Sequence, residues 1–342
     1  MAPSPESESA FTFLPQGAII QEFRIAGHNI VQSFPKAEYF RDPNISSAFF
    51  GETIGRVANR IKDAKIQKLN DQSYTLAANN GKNSLHGGAE GWGKKIWDGP
   101  HMVNRNGKEG MLFKYLSKDG EEGYPGTVEA RVWYTAGKEK NGNVEKTVLQ
   151  AEYEVELVGD ECSETVINMT NHSYFNLTSK PTIEGTRVTL SSHQHIPVDE
   201  AGIPLEGGIK PYPGVIANQE FVLGAEEPDI DHCFIMNDSP SSIPIDTRKL
   251  PIKLLAAFYH PESKLHLEVH STEPAFQYYT GRFIDIPAVE GAPARGKRAG
   301  FCVEPSRYID AVNKEEWRGM SVLKKGQVYG SKTVYKSWKD SE

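Results

Sequence analysis

The sequence predicts an all-β chain folded as a large antiparallel β-sandwich, and three observations carry that prediction. Apolar and polar residues alternate with period two over several long runs, turn signals recur between those runs, and no amphipathic helix of more than a few turns is visible.

In chain order, Val128, Ala130, Val132 and Tyr134 form the first clear alternating run. Leu149, Ala151, Tyr153, Val155 and Leu157 alternate with Gln150, Glu152, Glu154 and Glu156, a segregation that a helix could not achieve. Leu265, Leu267 and Val269 repeat the pattern against His266, Glu268 and His270. Gly, Pro, Asn and Asp mark turns at DGEEGYPG (119–126), GKEKNGN (137–143), DEAGIP (199–204) and EGAPARGKRAG (290–300). No fixed-period repeat or Ser/Gly/Pro linker divides the chain. One domain over residues 11–342 is expected, behind a loose tail at 1–10 rich in Ser, Pro and Glu.

The 342 residues include 31 Gly and 21 Pro, with 38% hydrophobic and 24% charged, a turn-rich globular composition. The net charge of −7 is spread along the chain, so no nucleic-acid partner is expected. The opening MAPSPESESAFTFLPQG lacks a basic and apolar signal pattern, and no apolar run is long enough for a bilayer. The expectation is therefore a cytoplasmic protein with no membrane partner. Cys162, Cys233 and Cys302 are odd in number, far apart and without metal-ligand spacing, which fits a reducing compartment. Sequon-like triplets at Asn44, Asn168, Asn171, Asn176 and Asn237 are accordingly read as chance.

A sheet interior rejects polar groups unless a ligand, water or network satisfies them, so polar clusters within apolar alternation are the candidate sites. GETIGRVANRI (51–61) sets Arg56, Asn59 and Arg60 among small and apolar residues. Their donors suit sugar oxygens, although composition alone favours a surface turn with paired arginines. NNGKNSLHGG (79–88) follows His86 with two glycines that would let the backbone approach a ligand. In TNHSYFNL (170–177) and the residues before it, period two puts Asn168, Thr170 and His172 on one face, either as a polar network or as a site with a titratable imidazole.

DIDHCF (229–234) and EPAFQYYTG (273–281) offer Asp231 and Gln277 as partners for hydroxyls. The aromatics Phe276, Tyr278 and Tyr279 are candidates for an apolar sugar platform, with core packing the plainer account of at least one. In GFCVEPSRYIDAVN (300–313), Glu304 ends a strand-like stretch, where burial could tune it as a base or Arg307 could pair with it.

In series, GETIGRVANRI, NSLHGG, DGEEGYPG, TNHSYFNL, DHCF and the late Glu304 resemble the aldose 1-epimerase (galactose mutarotase) family, in one order from about residue 11 to residue 335. The resemblance implies the large antiparallel galactose mutarotase-like supersandwich, a sugar-binding cleft, no cofactor and no metal. It implies a free aldohexose such as glucose or galactose as the small-molecule partner, and a monomer or weak homodimer. It further implies Glu304 as catalytic base, His172 as catalytic acid, His86 as a second active-site histidine, and Asn59, Arg60, Asp231 and Gln277 as the residues that hold the sugar. Two departures are visible. Cys233 stands where the family often has asparagine, and Pro305, Ser306 and Arg307 stand where it has a nearby glutamine, so the pocket around the anomeric hydroxyl is expected to differ.

The expected chemistry is ring opening and reclosure by one base and one acid, with no covalent intermediate. A glycosidase would use two flanking carboxylates instead. Two alternatives keep the fold: a hexose-6-phosphate 1-epimerase, for which Arg295, Lys297 and Arg298 would be a phosphate clamp if not a solvated loop, and a non-catalytic sugar-binding or regulatory protein. A zinc hydrolase built on His193 and His195 is the remote option, since no third ligand accompanies them.

Overall fold

A computed structural model describes residues 10–46 and 48–341 of the chain. Apart from Ala10, the expected loose tail lies outside the described residues. The alternating runs form the middle of a nine-stranded sheet, ordered Glu220–Val222, Arg187–Leu190, Lys253–His260, Leu265–Ser271, Val328–Lys339, Val144–Leu157, Val128–Asn141, Lys108–Ser117 and Asp98–Arg105. Every neighbouring pair in it is antiparallel.

Alternation assigns the faces of this sheet. Val128, Ala130, Val132, Tyr134 and the apolar set Leu149 to Leu157 are at most 6% exposed, while Gln150, Glu154 and Glu156 stay in partial contact with solvent. Glu152 shares their face but is buried, because Arg105 and Arg248 both pair with it. The expected turn at 137–143 is shorter than its composition suggested. Gly137 to Asn141 continue the strand opposite Val144 to Val148, leaving only Gly142 and Asn143 as the two-residue loop.

The second sheet has six strands, ordered Tyr174–Phe175, Phe301–Ser306, Ala275–Tyr279, Asp231–Ile235, Gln194–Ile196 and Lys210–Pro211. Phe175, Phe234, Phe276, Tyr278, Phe301 and Val303 leave one of its faces and join the inner face of the larger sheet in a shared core. Phe258 stacks on Phe301 at 4.2 Å, and Phe175 meets Tyr335 at 5.6 Å. Each large apolar side chain so buried contributes about 1.5–3 kcal/mol, so the sandwich holds through its area rather than through any single contact. The predicted antiparallel sandwich is therefore the observed fold. Helical segments among the described residues are single 3-10 turns of three or four residues, and no helix is long and apolar enough to cross a membrane.

Two buried arginines tie loops to this frame. Arg56 donates to the carbonyls of Pro125 at 2.8 Å and Gly126 at 2.9 Å, and to Ser117 Oγ at 2.5 Å, so it is a clamp on the 119–126 turn and not a ligand group. Arg307 pairs with Glu273 at 3.0 Å rather than with Glu304, and donates to the Ile245 carbonyl at 2.9 Å. Both side chains of that ion pair are out of contact with water, at 0% and 1% exposure. Removing one partner leaves an uncompensated buried charge, so Glu273→Leu is expected to cost about 3–5 kcal/mol in urea unfolding, with the double change Glu273→Leu/Arg307→Met recovering much of it. An unfolding midpoint unchanged in Glu273→Leu would contradict this account.

Candidate active site

Whichever face of the six-stranded sheet does not enter the core must carry its polar residues, and strand register decides which of them meet. Gln277 lies opposite both Cys233 and Glu304, and Tyr279 lies opposite both Asp231 and Cys302. Asp231, Gln277 and Glu304 thus share the face opposite Phe276, Tyr278 and Val303. Of the three aromatics considered as a sugar platform, only Tyr279 lies on the cavity side, because the other two belong to the core.

A second group arrives beside this face through pairings between segments far apart in the chain. Thr53 and Ile54 pair with Asn171 and Thr170, and the His172 N–H donates to the Glu52 carbonyl at 2.8 Å. The Ala58 N–H donates to the Asn168 carbonyl at 2.7 Å, which brings Asn59 and Arg60 alongside. Asn59 takes a left-handed backbone, at φ 57°, which asparagine tolerates better than most residues and which turns its side chain out of the ladder.

His86 is also left-handed, at φ 51°, and its Nδ1 accepts the Asn59 N–H at 3.2 Å. The glycines after it admit protein rather than ligand. A Cβ on Gly87 would sit 1.9 Å from the Gly55 carbonyl oxygen, and one on Gly88 would sit 2.2 Å from the Glu122 side chain. Gly87 lets the His86 loop press against the segment that carries Asn59 and Arg60, and Gly88 lets it pass beside Glu122.

The result is a cavity of about 390 Å³ lined by all seven residues that the resemblance implies for the site: Asn59, Arg60, His86, His172, Asp231, Gln277 and Glu304. Small-molecule pockets span roughly 300–1,000 Å³, so the volume suits one small ligand. A hydrogen-bonded chain runs along one side. Arg60 Nη1 donates to Asn59 Oδ1 at 3.3 Å, Asn59 Nδ2 to Gln277 Oε1 at 3.2 Å, and Gln277 Nε2 to Asp231 Oδ1 at 2.7 Å. At the buried end His172 Nε2 lies 3.4 Å from Glu304 Oε1, with both side chains 5% exposed. The His86 and His172 rings meet edge to face at 5.1 Å, and Phe49 packs against both.

Burial dominates the electrostatics. It pushes the Glu304 carboxyl well above its usual 4.5, with Asp231 adding repulsion and Arg60 opposing both. It pushes His172 down to about 3, against a hydrogen bond from the ring to its own backbone carbonyl and with help from the Lys94 charge. His86 is pushed well below 6.5 by burial, then by His172, Arg60 and Lys94. The Glu304–His172 pair therefore favours one proton, resident on the carboxyl.

His86, His172 and Glu304 offer ligand atoms within 4.8 Å of one another, the one such trio of His, Cys, Asp and Glu among the described residues. A divalent ion would need a free lone pair on each imidazole. His86 spends its Nδ1 lone pair on the Asn59 N–H, so its remaining nitrogen carries a proton, and this donor set suits hydroxyl groups better than a metal. His193 and His195 belong to no such trio; His195 Nδ1 faces the Lys210 carbonyl at 2.9 Å.

The three basic residues form no phosphate clamp, and of them Lys297 alone is solvated as a loop residue would be, while Arg295 and Arg298 are buried. Arg298 is buried and donates to the Pro228 and Gly224 carbonyls, Arg295 stacks 4.8 Å over Phe34, Lys297 pairs with Glu226, and none lines the cavity. Phe49, Asn80, Tyr174, Glu200 and Phe283 also line it, and motif reading had not assigned them to a site. Period two from His172 could have supplied Tyr174; Glu200 sits in a segment legible only as a turn.

With this geometry in place, known proteins with the same features can be compared. A family model described as aldose 1-epimerase matches residues 5–336. The bifunctional protein gal10 of Schizosaccharomyces pombe is 36% identical over 327 residues, 93% of this chain, and this chain spans less than half of that protein, 42%. Human galactose mutarotase is 35% identical over 300 residues, covering 84% of this chain and 78% of the other. The crystal structure of a GalM/aldose epimerase homologue from C. elegans shares the fold with a TM-score of 0.78 at 23% identity, covering 97% and 96% of the two chains. A sandwich that holds a buried carboxylate–imidazole pair, matched along nearly its whole length by that family model, places this chain in the aldose 1-epimerase family.

Proposed function

We propose that the chain is an aldose 1-epimerase, a mutarotase that interconverts the α and β anomers of free aldohexoses such as glucose and galactose. The observation that carries this reading is the pairing of Glu304 with His172 across 3.4 Å at the buried end of a cavity otherwise lined by hydroxyl-binding groups. The similarity to human galactose mutarotase supports the hexose as substrate. Three unpaired cysteines, two of them buried, support a reducing compartment such as the cytoplasm.

Anomers exchange when the C1 hydroxyl loses a proton while the ring oxygen gains one. Glu304, as carboxylate, takes the O1 proton, and the electron pair of that bond forms the C1=O1 carbonyl. The C1–O5 bond breaks toward O5, which takes the Nε2 proton of the His172 imidazolium. Rotation about C1–C2 turns the other carbonyl face to O5, and closure returns both protons, with Glu304 now the acid and His172 the base. The working ion pair and the neutral pair hold the same single proton, so one transfer across 3.4 Å connects them. Asn59, Arg60, Asp231 and Gln277 hold the sugar's hydroxyls, and His86 donates its cavity-facing N–H.

A hexose 6-phosphate finds little here to hold its phosphate. Among the described residues Arg60 is the one arginine or lysine lining the cavity, against the carboxylates of Glu200, Asp231 and Glu304. A silent sugar-binding protein would have no use for a buried acid and base, whose desolvation costs stability without aiding binding.

Glu304→Gln keeps the shape of the side chain but cannot take a proton, so polarimetry on freshly dissolved α-D-glucose or α-D-galactose is expected to show turnover lowered by roughly 10² to 10⁴-fold. Undiminished relaxation would remove Glu304 from the chemistry. The same variant tests the burial argument. A carboxyl whose folded pKa is raised destabilises the fold as pH climbs above the unfolded value near 4.5. Glu304→Gln should therefore melt higher than the parent in mildly alkaline buffer, by about 2 °C or more, with the difference vanishing below that value. Equal melting temperatures at both pH extremes would argue against a desolvated carboxyl.

The profile of kcat/KM against pH follows from the single shared proton. Activity falls at low pH when His172 binds a second proton alongside protonated Glu304, and falls at high pH when the pair loses its only one. The lower limb is expected beneath the ordinary histidine value of 6.5 and the upper limb above the ordinary glutamate value of 4.5. A rate that shows no limb on either side across the stable range would count against a titrating pair.

A further inference from the structure

His172 is held at both of its nitrogens. Nε2 faces Glu304 at 3.4 Å, and Nδ1 lies 3.5 Å from Cys302 Sγ on the other side of the ring. Cys302 is fully buried on the strand Phe301–Ser306, two residues before Glu304 and on the same face of the sheet. We propose that Cys302 is a positioning residue whose sulfur accepts the Nδ1 proton of His172, so that Nε2 is the nitrogen that exchanges protons with the sugar. This rests on the role given to His172 above.

Three features of the site support this assignment. A hydrogen bond to its own backbone also favours the protonated form of the imidazole, against burial. The sulfur is itself fixed: Tyr174 lies directly opposite Cys302 across the strands, and its ring packs against the His172 imidazole at 4.9 Å. The thiol remains neutral, because burial raises it well above its usual value and Glu304 and Asp231 add to that. A neutral sulfur is a weak acceptor. A carboxylate in its place would stabilise the imidazolium further and raise its affinity for the Nε2 proton, and an apolar side chain would remove the acceptor.

His86 is wired the opposite way. Its Nδ1 accepts a backbone N–H, so its other nitrogen permanently carries a proton and can only donate. The two adjacent imidazoles thus differ in tautomer: His86 is a fixed donor, and His172 a proton carrier. Each difference originates in a group that does not touch the sugar.

The test reads the tautomers directly. Long-range ¹H–¹⁵N spectra of histidine-labelled protein near neutral pH, assigned with His172→Gln and His86→Gln, are expected to show neutral His172 protonated on Nδ1 and His86 on Nε2. Cys302→Ala should shift His172 toward a mixture and lower kcat roughly 10-fold, with KM changed less than about twofold. Cys302→Ser, which keeps an acceptor, should restore the Nδ1–H form and recover most of the lost rate. His172 protonated on Nε2 in the parent protein would overturn the proposal, as would Ala and Ser variants with equal rates and the parent's tautomer. If the parent turned over no free sugar, the mutarotase reading would fail, and the spectra would still decide the part played by Cys302.

Discussion

Gln277 lies directly across from Glu304 in the antiparallel pair Ala275–Tyr279 and Phe301–Ser306, and nearly everything else in the site depends on that register. Side chains alternate with period two, so slipping one strand by a single residue would carry Glu304 into the core and bring Val303 or Pro305 to the cavity. The aromatic residues on the far face forbid the slip. Phe276, Tyr278 and Phe301 are fully buried against the nine-stranded sheet, and losing their burial would cost several kcal/mol. Hydrophobic packing on one face thus sets, at no separate cost, the placement of polar groups on the other.

That arrangement strains the groups it positions. Glu304 gains no ion pair from Arg307, which turns away to neutralise Glu273. Its charge is opposed by burial and by Asp231, and relieved only by the more distant Arg60. His172 is disfavoured as a cation for the same reason. A carboxyl that holds its proton more tightly and an imidazole that holds it less tightly are drawn toward each other in proton affinity. Such a pair can pass a proton in either direction, and an anomer exchange, which runs forward and backward over the same barrier, needs that symmetry.

The loops contribute rigidity rather than chemistry. Arg56 ties the segment before Asn59 to the 119–126 turn, Gly87 lets the His86 loop lie against the Gly55 backbone, and Lys94 neutralises the fully buried Glu52 at 2.6 Å beside the two histidines. Left-handed backbone at Asn59 and His86 is the kind of local strain that a surrounding structure must over-determine. Here the clamps on either side do so.

Much of this was legible in the residues themselves. Period-two alternation at Val128–Tyr134 and Leu149–Leu157 gave strands with the right buried faces, because burial on a sheet repeats every second residue whatever the partner strand. All seven site residues implied by the resemblance to the aldose 1-epimerase family meet in one cavity; polar interruption of the alternation marks the clusters, but the ordered motifs pick the residues within them. Partner choice was not legible. Whether Arg307 would pair with Glu304 or Glu273, whether Gly87 admits ligand or backbone, and whether Arg298 meets solvent or carbonyl oxygens depend on segments far apart in the chain. Local sequence therefore determined which residues are polar, apolar or turning, and on which side of a strand they stand; only tertiary structure decided what each one touches, because a charge or a donor is satisfied by whichever group the folded chain brings within a few ångströms of it.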